Sequence, residues 1–138
     1  MSGASDIPVR AAMTASPVMI DGLASVGEAL ATMQARRISA LVVDRRDDRD
    51  EYGLVLITDI AREIVAHDRP LDRVSVYEVM TKPALGLHGD MNLRYAVRLM
   101  ARHSLTHAVV MDGRDLAGIV TLRDLTLRHF ESAREAPG

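Results

Sequence analysis

Residues 118–125 read Gly-Ile-Val-Thr-Leu-Arg-Asp-Leu, and residues 53–60 read Gly-Leu-Val-Leu-Ile-Thr-Asp-Ile. The two stretches share a glycine, a valine and an aspartate at the same spacing, 65 positions apart. Seven further identities recur 67 positions apart and pair Val9, Met13, Thr14, Ala29, Met33, Val42 and Val43 with Val76, Met80, Thr81, Ala96, Met100, Val109 and Val110. Internal repetition over this length predicts two superposable halves.

Length and composition limit the classes of protein to consider. A chain of 138 residues suits one compact domain, and we expect the two halves to share one core because each alone is small. The absence of cysteine excludes disulfides, thiolate metal sites and a cysteine nucleophile. A net charge of −2 and only four aromatic residues argue against a nucleic-acid partner.

The ends and apolar runs of the chain indicate its compartment. The first residues lack both the basic region and the apolar region of a signal peptide. The longest apolar runs are far shorter than a membrane span. We therefore expect a cytoplasmic protein with no membrane partner.

Each half has the same predicted order of elements. Ser25 and Glu28 form a capping box for a helix over residues 25–34, and Asn92 caps the corresponding helix of the second half. A β-hairpin follows each helix, and Asp112-Gly113 is a strong turn signal in the second. Further helices are predicted over residues 59–66 and 122–131, and short extended segments over residues 17–20 and 84–87.

These elements predict an α+β fold. Each half is a short strand, a helix, a β-hairpin and a helix, and the halves are related by a pseudo-twofold axis. The predicted boundaries are residues 7–68 for the first repeat, residues 74–131 for the second, and residues 132–138 for a frayed tail. A ligand site is expected in the cleft between the repeats.

Thr121 and Asp124 lie where a strand ends and a helix begins. One interpretation is a capping box that satisfies free amides of the first helical turn. The other adds a ligand, because a helix N-terminus carries partial positive charge and N–H donors that suit a phosphate. A carboxylate beside it can accept hydrogen bonds from both hydroxyls of a ribose. The spacing alone leaves both interpretations open.

The doubled pattern, with Met-Thr near the start of each repeat and Gly-x-x-Thr-x-x-Asp near the end of the second, resembles the CBS (cystathionine β-synthase) domain. Two such domains in tandem resemble a Bateman module. The resemblance covers residues 7–130. It implies a non-catalytic regulatory module that binds AMP, ADP, ATP or S-adenosylmethionine between its repeats, forms a homodimer and regulates a partner protein. No further cofactor is expected.

The resemblance also implies the site residues. Thr121 and Arg123 match positions near the phosphate, Asp124 matches the carboxylate on the ribose, and Ile119 matches a wall of the adenine slot. Thr106 and His107 match positions that face the ribose or phosphate. The opposite repeat supplies residues that line the base, namely Thr14, Ile38 and Ser39.

The matching stretch of the first repeat departs from the pattern. Asp59 is retained, but Leu56 stands where the hydroxyl is expected, and Thr58 matches Arg123. We expect a weaker second site with Asp59 and Thr81, because the missing hydroxyl removes about 1 kcal/mol of hydrogen bonding.

Other signals carry less weight. His103 and His107 have the spacing of a helical metal pair, but the repeat places them on different elements, so no metal site is expected. No spacing selects a nucleophile with its base, so no catalytic residue is assigned. Two rival functions remain open: a ligand-free structural module for dimerisation or interaction, and a small nucleotide hydrolase.

Overall fold

The computed structural model describes residues 6–135 of the chain. The described residues form two compact units. Unit 1 contains the chain up to Ser16 and from Leu85 onwards, and unit 2 contains Pro17–Ala84. Each unit therefore combines the body of one repeat with the first residues of the other.

Unit 2 contains a three-stranded sheet and two α-helices. The strands and helices are β2 (Met19–Ile20), α1 (Val26–Arg36), β3 (Ala40–Val43), β4 (Gly53–Leu56) and α2 (Ile57–Glu63). Strand β2 runs parallel to β3, which runs antiparallel to β4, in the order β2-β3-β4. Short 3₁₀ turns cover Val65–His67 and Val76–Glu78.

Unit 1 contains a four-stranded sheet and two α-helices, preceded by a 3₁₀ turn over Val9–Ala12. The elements are β1 (Thr14–Ala15), β5 (Gly86–His88), α3 (Leu93–Arg102), β6 (His107–Asp112), β7 (Asp115–Thr121) and α4 (Leu122–Glu135). The strand order is β1-β7-β6-β5, in which β5 and β6 are parallel neighbours and the other pairs are antiparallel. The predicted α+β architecture of each repeat is confirmed.

The predicted starts of α1 and α3 are confirmed by their capping hydrogen bonds, and the predicted hairpin turn of unit 1 is confirmed by the backbone of Gly113. Ser25 Oγ accepts from the Glu28 N–H at 3.0 Å, and the Glu28 carboxylate accepts from the Ser25 N–H at 2.6 Å. The Asn92 side chain caps α3 by accepting from the Arg94 N–H at 2.9 Å. Gly113 has a φ of +63°, a conformation that the hairpin turn requires and that glycine adopts without strain.

The predicted ends of the closing helices were wrong by a few residues. Helix α2 begins at Ile57, two residues before the predicted start, and it ends at Glu63, where the 3₁₀ turn at Val65–His67 follows. Helix α4 continues four residues beyond the predicted Glu131, because Ser132 is buried and Arg128 Nη1 donates to its hydroxyl at 2.7 Å. Residues 136–138 of the predicted tail lie outside the described residues.

The buried apolar residues form two clusters, one in each unit, and not the single shared core that the sequence analysis predicted. The physical reason is that the first residues of each repeat pack into the core formed by the body of the other repeat, an arrangement we call the exchange of first residues. Ile7 and Val9 of the first repeat are buried in the cluster of unit 1. Val74, Val76 and Val79, at the start of the second repeat, are buried in the cluster of unit 2.

An ion pair holds the charged hairpin loop of unit 2. The Asp50 carboxylate accepts from Lys82 Nζ at 2.5 Å and from the Arg46 N–H at 2.8 Å. The hydrogen bond from Lys82, followed by that from Arg46, holds the pKa of the Asp50 carboxyl well below its ordinary value of 3.8. A lowered carboxyl pKa in the folded state stabilises the protein above the unfolded-state pKa, and this contribution is lost as the pH falls.

We predict that Asp50→Asn lowers the free energy of unfolding at neutral pH, because it removes the charged acceptor for Lys82. The difference from the wild type should narrow as the pH falls below about 4, where the unfolded carboxyl takes up its proton. Urea unfolding across a pH series measures this, with Asp72→Asn at an exposed position as the control. A difference that stays constant with pH would contradict the assigned ion pair.

Candidate functional site

The repeated motif of the second half joins β7 directly to α4. Strand β7 ends at Thr121 and the helix begins at Leu122, so the backbone turns sharply between them. Thr121 Oγ1 accepts a hydrogen bond from the Asp124 N–H at 3.0 Å. The hydroxyl half of the predicted capping box is therefore confirmed, and it fixes Asp124 in the first turn of a 14-residue helix.

Five more of the predicted residues belong to unit 1 and lie around this turn. His107 is paired with Thr121 across β6 and β7, and the Leu122 N–H donates to the Thr106 carbonyl at 2.8 Å. The Thr106 hydroxyl lies 2.8 Å from His107 Nδ1. Thr14 and Ile119 are paired across β1 and β7, and Arg123 follows Leu122 in the first turn of α4.

The Asp124 carboxylate is open to solvent. Its side chain is 42% exposed, and its ion-pair partner is Arg123, whose Nη1 lies 3.5 Å away. An exposed pair at this distance is weak and is easily rearranged. The first turn of α4 therefore presents an accessible carboxylate, an exposed guanidinium and the positive end of a helix dipole within one short segment.

The glycine that opens the motif has a packing role that sequence reasoning missed. A Cβ atom on Gly118 would lie 2.6 Å from the Thr14 carbonyl oxygen and 2.8 Å from the Met13 sulfur. Only glycine allows β1 to approach β7 this closely. Its counterpart Gly53 is also tight, with a Cβ 3.2 Å from the Thr81 carbonyl oxygen. The repetition of glycine at this position was the signal available in the sequence.

The corresponding carboxylate of the first repeat, that of Asp59, differs in its burial and in its hydrogen-bond partners. The Asp59 side chain is only 12% exposed. One oxygen accepts from the Leu56 N–H at 3.0 Å, and the other accepts from Arg62 Nη2 at 2.8 Å. Leu56 returns no side-chain hydrogen bond to the helix, as expected from its apolar chemistry. Asp59 is thus satisfied within its own helix.

Arg62 is the residue of this site that sequence reasoning missed. Its spacing from Asp59, three residues along a helix, is the spacing at which oppositely charged side chains meet. Leu127 stands at the corresponding position of α4, 65 residues later. A leucine offers no cation, so the second repeat lacks the ion pair that occupies Asp59.

The remaining predicted residues belong to unit 2. Thr81 pairs with Leu54 through two backbone hydrogen bonds of 2.8 and 2.9 Å. The Ser39 carbonyl accepts from the Ile57 N–H at 2.9 Å, and Ile38 packs against the buried cluster of the unit. Thr81 pairs with Leu54 of β4 as Thr14 pairs with Ile119 of β7, and Asp59 and Asp124 each follow the end of the corresponding strand.

The described residues include no candidate metal cluster and no helix that could cross a membrane. His103 is the C-cap of α3 and His107 begins β6, so the two histidines lie on different elements as predicted. Between residues 6 and 135, no three histidine, cysteine, aspartate or glutamate side chains are grouped so that they could hold a metal ion. Over the same range, no helix combines the length and the hydrophobicity that crossing a membrane requires.

Comparison with known sequences identifies the family. The family model of the CBS domain matches residues 4–66 and 76–129. The chain therefore belongs to the CBS-domain family and carries two CBS domains in tandem. It is similar to the uncharacterized protein YlbB of Bacillus subtilis (strain 168), at 29% identity over 126 residues, which are 91% of this chain and 84% of that protein.

Solved structures give the same result. Two structures of the hexameric CBS-CP12 protein from bloom-forming cyanobacteria are 31% and 28% identical, with TM-scores of 0.83 and 0.87. They cover 86% and 94% of this chain, which spans 66% and 75% of theirs. The CBS domain of a bacterial CNNM/CorC family Mg²⁺ transporter in complex with ATP is 25% identical, with a TM-score of 0.76. The match covers 92% of this chain and 89% of that structure.

We predict that Thr121→Val destabilises the protein by about 1 kcal/mol, the usual contribution of a side chain that caps a helix. The substitution keeps the shape of the side chain and removes the acceptor for the Asp124 N–H. Chemical unfolding measures the change. Thr58→Val, at the exposed position that matches Arg123, is the control and should change stability little. Equal effects of the two substitutions would contradict a capping role for Thr121.

Proposed function

We propose that this chain is a non-catalytic sensor that binds an adenine nucleotide beside Asp124 and regulates a partner protein. The accessible Asp124 carboxylate at the start of α4 carries the proposal. A carboxylate accepts hydrogen bonds through both oxygens, and the two hydroxyls of a ribose are matching donors. The ligand class is AMP, ADP, ATP or S-adenosylmethionine, and no further cofactor is required.

The residues around Asp124 suit the remaining parts of such a ligand. Arg123 is exposed and adjacent to the helix N-terminus, so it is placed to reach a phosphate. The Thr121 hydroxyl lies beside the same N–H groups. Thr106 and His107 stand at the start of β6, next to Thr121, where they are proposed to face the ribose or phosphate.

The adenine ring is proposed to lie between aliphatic and small polar side chains. Ile119 of β7 forms one wall, and Thr14 is its partner across the strand pair. Ile38 and Ser39 belong to unit 2, and a role of these two residues in lining the base stays a prediction of the sequence. A ring held in this way needs no aromatic side chain, which suits a chain with only four aromatic residues.

A second, weaker site is proposed at Asp59 and Thr81. A ligand there has to displace Arg62 from the carboxylate, because both Asp59 oxygens already accept hydrogen bonds. We therefore expect one ligand for each chain under ordinary conditions. The ATP complex of the related transporter CBS domain supports the general class of ligand.

Ligand binding can regulate a partner only if it favours one arrangement of the protein over another. The partner is proposed to be a separate protein. We also propose a homodimer, because Leu127 and Phe130 lie exposed on α4 as two large apolar side chains one turn apart. The hexameric CBS-CP12 relatives support self-association in general. A cytoplasmic location stays a prediction of the sequence.

The alternative is a ligand-free structural module for dimerisation or interaction. The state of Asp59 favours it for the first repeat, where Arg62 satisfies the carboxylate without a ligand. The open Asp124 carboxylate favours the sensor for the second repeat. The two functions are therefore distinguished by measurements at Asp124.

We predict that the wild type binds at least one of AMP, ADP, ATP and S-adenosylmethionine in isothermal titration calorimetry. Asp124→Asn should weaken that binding by about tenfold or more, because an amide provides a poorer acceptor for the ribose hydroxyls. Asp59→Asn is the matched control, since it changes the equivalent carboxylate of the other repeat, and it should leave the affinity nearly unchanged.

Two results would overturn the sensor proposal. Equal affinity of the wild type and Asp124→Asn for the nucleotide would contradict the assignment of the binding site to Asp124. The absence of binding to all four ligands, together with the absence of thermal stabilisation by them, would favour the structural module, because a bound ligand raises the melting temperature by mass action.

A further inference from the structure

Unit 2 contains a cavity of about 830 Å³, and every residue that lines it belongs to that unit. Cavities that hold small molecules measure roughly 300–1,000 Å³. Strand β3 runs from Ala40, next to Ser39 and the start of α2, to Val43 at the cavity. The cavity therefore lies at the end of the sheet away from Asp59.

The floor and rim of the cavity are apolar. Ile20 of β2, Val43 of β3 and Met80 form the floor, and all three are partly or fully buried. The rim includes Leu23, which is 77% exposed, and Tyr77, which is 53% exposed. Large apolar side chains exposed around a concave apolar surface indicate a place where an apolar group binds.

Two acidic side chains line one part of the cavity. Asp21 Oδ1 accepts from the Leu23 N–H, and Asp44 Oδ1 accepts from the Arg45 N–H, both at 2.8 Å. Each aspartate thus fixes its own loop through one oxygen. A carboxylate has two oxygens with about four acceptor positions, so each also retains capacity for an external donor.

Basic side chains line the cavity as well. Lys82 is held by Asp50, and because an ammonium group has three donors, this bond leaves capacity for a second acceptor. Arg46 donates to Asp50 through its backbone N–H, and its exposed side chain also pairs with that carboxylate, with Nε 3.6 Å from Oδ2. The guanidinium has further N–H donors for a second acceptor. Arg45 lies over the Tyr52 ring at 4.8 Å. The lining therefore carries three cations and two carboxylates.

The equivalent place in unit 1 is bridged by an ion pair. Tyr77 and Leu23 correspond to Arg10 and Asp90 at the repeat spacing of 67 residues. The two places share a backbone hydrogen bond, since the Arg10 N–H donates to the Gly89 carbonyl at 3.0 Å and the Tyr77 N–H donates to the Gly22 carbonyl at 2.9 Å. Arg10 and Asp90 form a salt bridge there. The repeat fold alone therefore does not produce the open apolar rim, which arises from the residues of unit 2.

We propose that the cavity of unit 2 binds a small zwitterion with a large apolar body, of the class of an α-amino acid such as leucine or phenylalanine. Its carboxylate bonds Lys82 and Arg46, its ammonium group bonds Asp21 and Asp44, and its side chain lies on the apolar floor. The charges explain this choice, because a lining with both signs suits a ligand that carries both. The proposal does not depend on nucleotide binding at Asp124.

Methyl NMR of the full chain, labelled with ¹³C at methionine, tests the proposal directly. Met19 and Met80 line the cavity and serve as reporters, and the buried Met100 of unit 1 is the internal reference. L-leucine and L-phenylalanine are titrated first. Isocaproate, which is leucine without its amino group, and isoamylamine, which is leucine without its carboxylate, are then compared. We expect saturable shifts of Met19 and Met80, and an affinity for leucine about tenfold or more above that for either analogue.

Two variants separate the charges of the ligand. Arg46→Met should weaken the binding of leucine and isocaproate and leave the binding of isoamylamine unchanged. Asp21→Asn keeps the acceptor for the Leu23 N–H. It should weaken the binding of leucine and isoamylamine and leave the binding of isocaproate unchanged. Arg98→Met on the exposed surface of α3 is the control and should change nothing. Asp124→Asn should also bind leucine as the wild type does, which separates this test from the test of the sensor function.

Three results would overturn the proposal. The first is an absence of shifts at Met19 and Met80 with both amino acids at millimolar concentration. The second is equal binding of leucine and its two analogues, which would reduce the cavity to an unselective apolar pocket. The third is an equal effect of Arg46→Met and Asp21→Asn on every ligand.

Discussion

A carboxylate in the first turn of a helix has few acceptor positions, and the groups that occupy them decide whether it can bind a ligand. In this protein the two repeats place equivalent aspartates at equivalent turns and give them different partners. Asp59 accepts from Leu56 and Arg62 and is nearly buried. Asp124 has only a distant contact with exposed Arg123 among its described charged neighbours. The difference between these two carboxylates is the basis of the proposal that the nucleotide site at Asp124 is the stronger one.

The exchange of first residues between repeats determines which residues stand near each carboxylate. Ile7 and Val9 complete the core of unit 1, and the chain that follows them forms β1 beside β7. Gly118 permits this close pairing because a side chain there would collide with the Thr14 carbonyl. The residues that begin the first repeat are therefore fixed beside the motif that ends the second. This arrangement gathers seven of the nine residues assigned to the stronger site into one unit.

Local signals in the sequence were sufficient for the local structure. The Ser25 and Asn92 caps, the Asp112-Gly113 turn and the Thr121 cap each involve residues close together in the chain, so the residue types alone predicted them. The fold class followed from the repetition. The exchange of segments was not predictable in this way, because Ile7 and Val74 read as ordinary apolar residues and only tertiary packing shows which core they join. The ends of α2 and α4 were missed for a similar reason, since the burial of Ser132 extends α4.

The candidate site, too, depends on contacts that local sequence signals did not reveal. Asp59 was expected to be weaker because Leu56 lacks a hydroxyl, yet the structure adds a second and stronger reason in Arg62. The cavity of unit 2 could not be predicted, because its lining comes from three separate stretches of chain that only the folded unit brings together. Unit 1 illustrates this, because Arg10 and Asp90, which are far apart in the sequence, form a salt bridge across the place that corresponds to the cavity.

The most direct test of the account is the binding stoichiometry of a variant that converts the Asp59 turn into the Asp124 turn. The double substitution Leu56→Thr and Arg62→Leu adds the missing hydroxyl and removes the internal cation. Calorimetry with the adenine nucleotide that binds the wild type should then show two ligands for each chain, where the wild type binds one. A variant that folds normally and still binds a single ligand would contradict the claim that the occupancy of these carboxylates decides where the nucleotide binds.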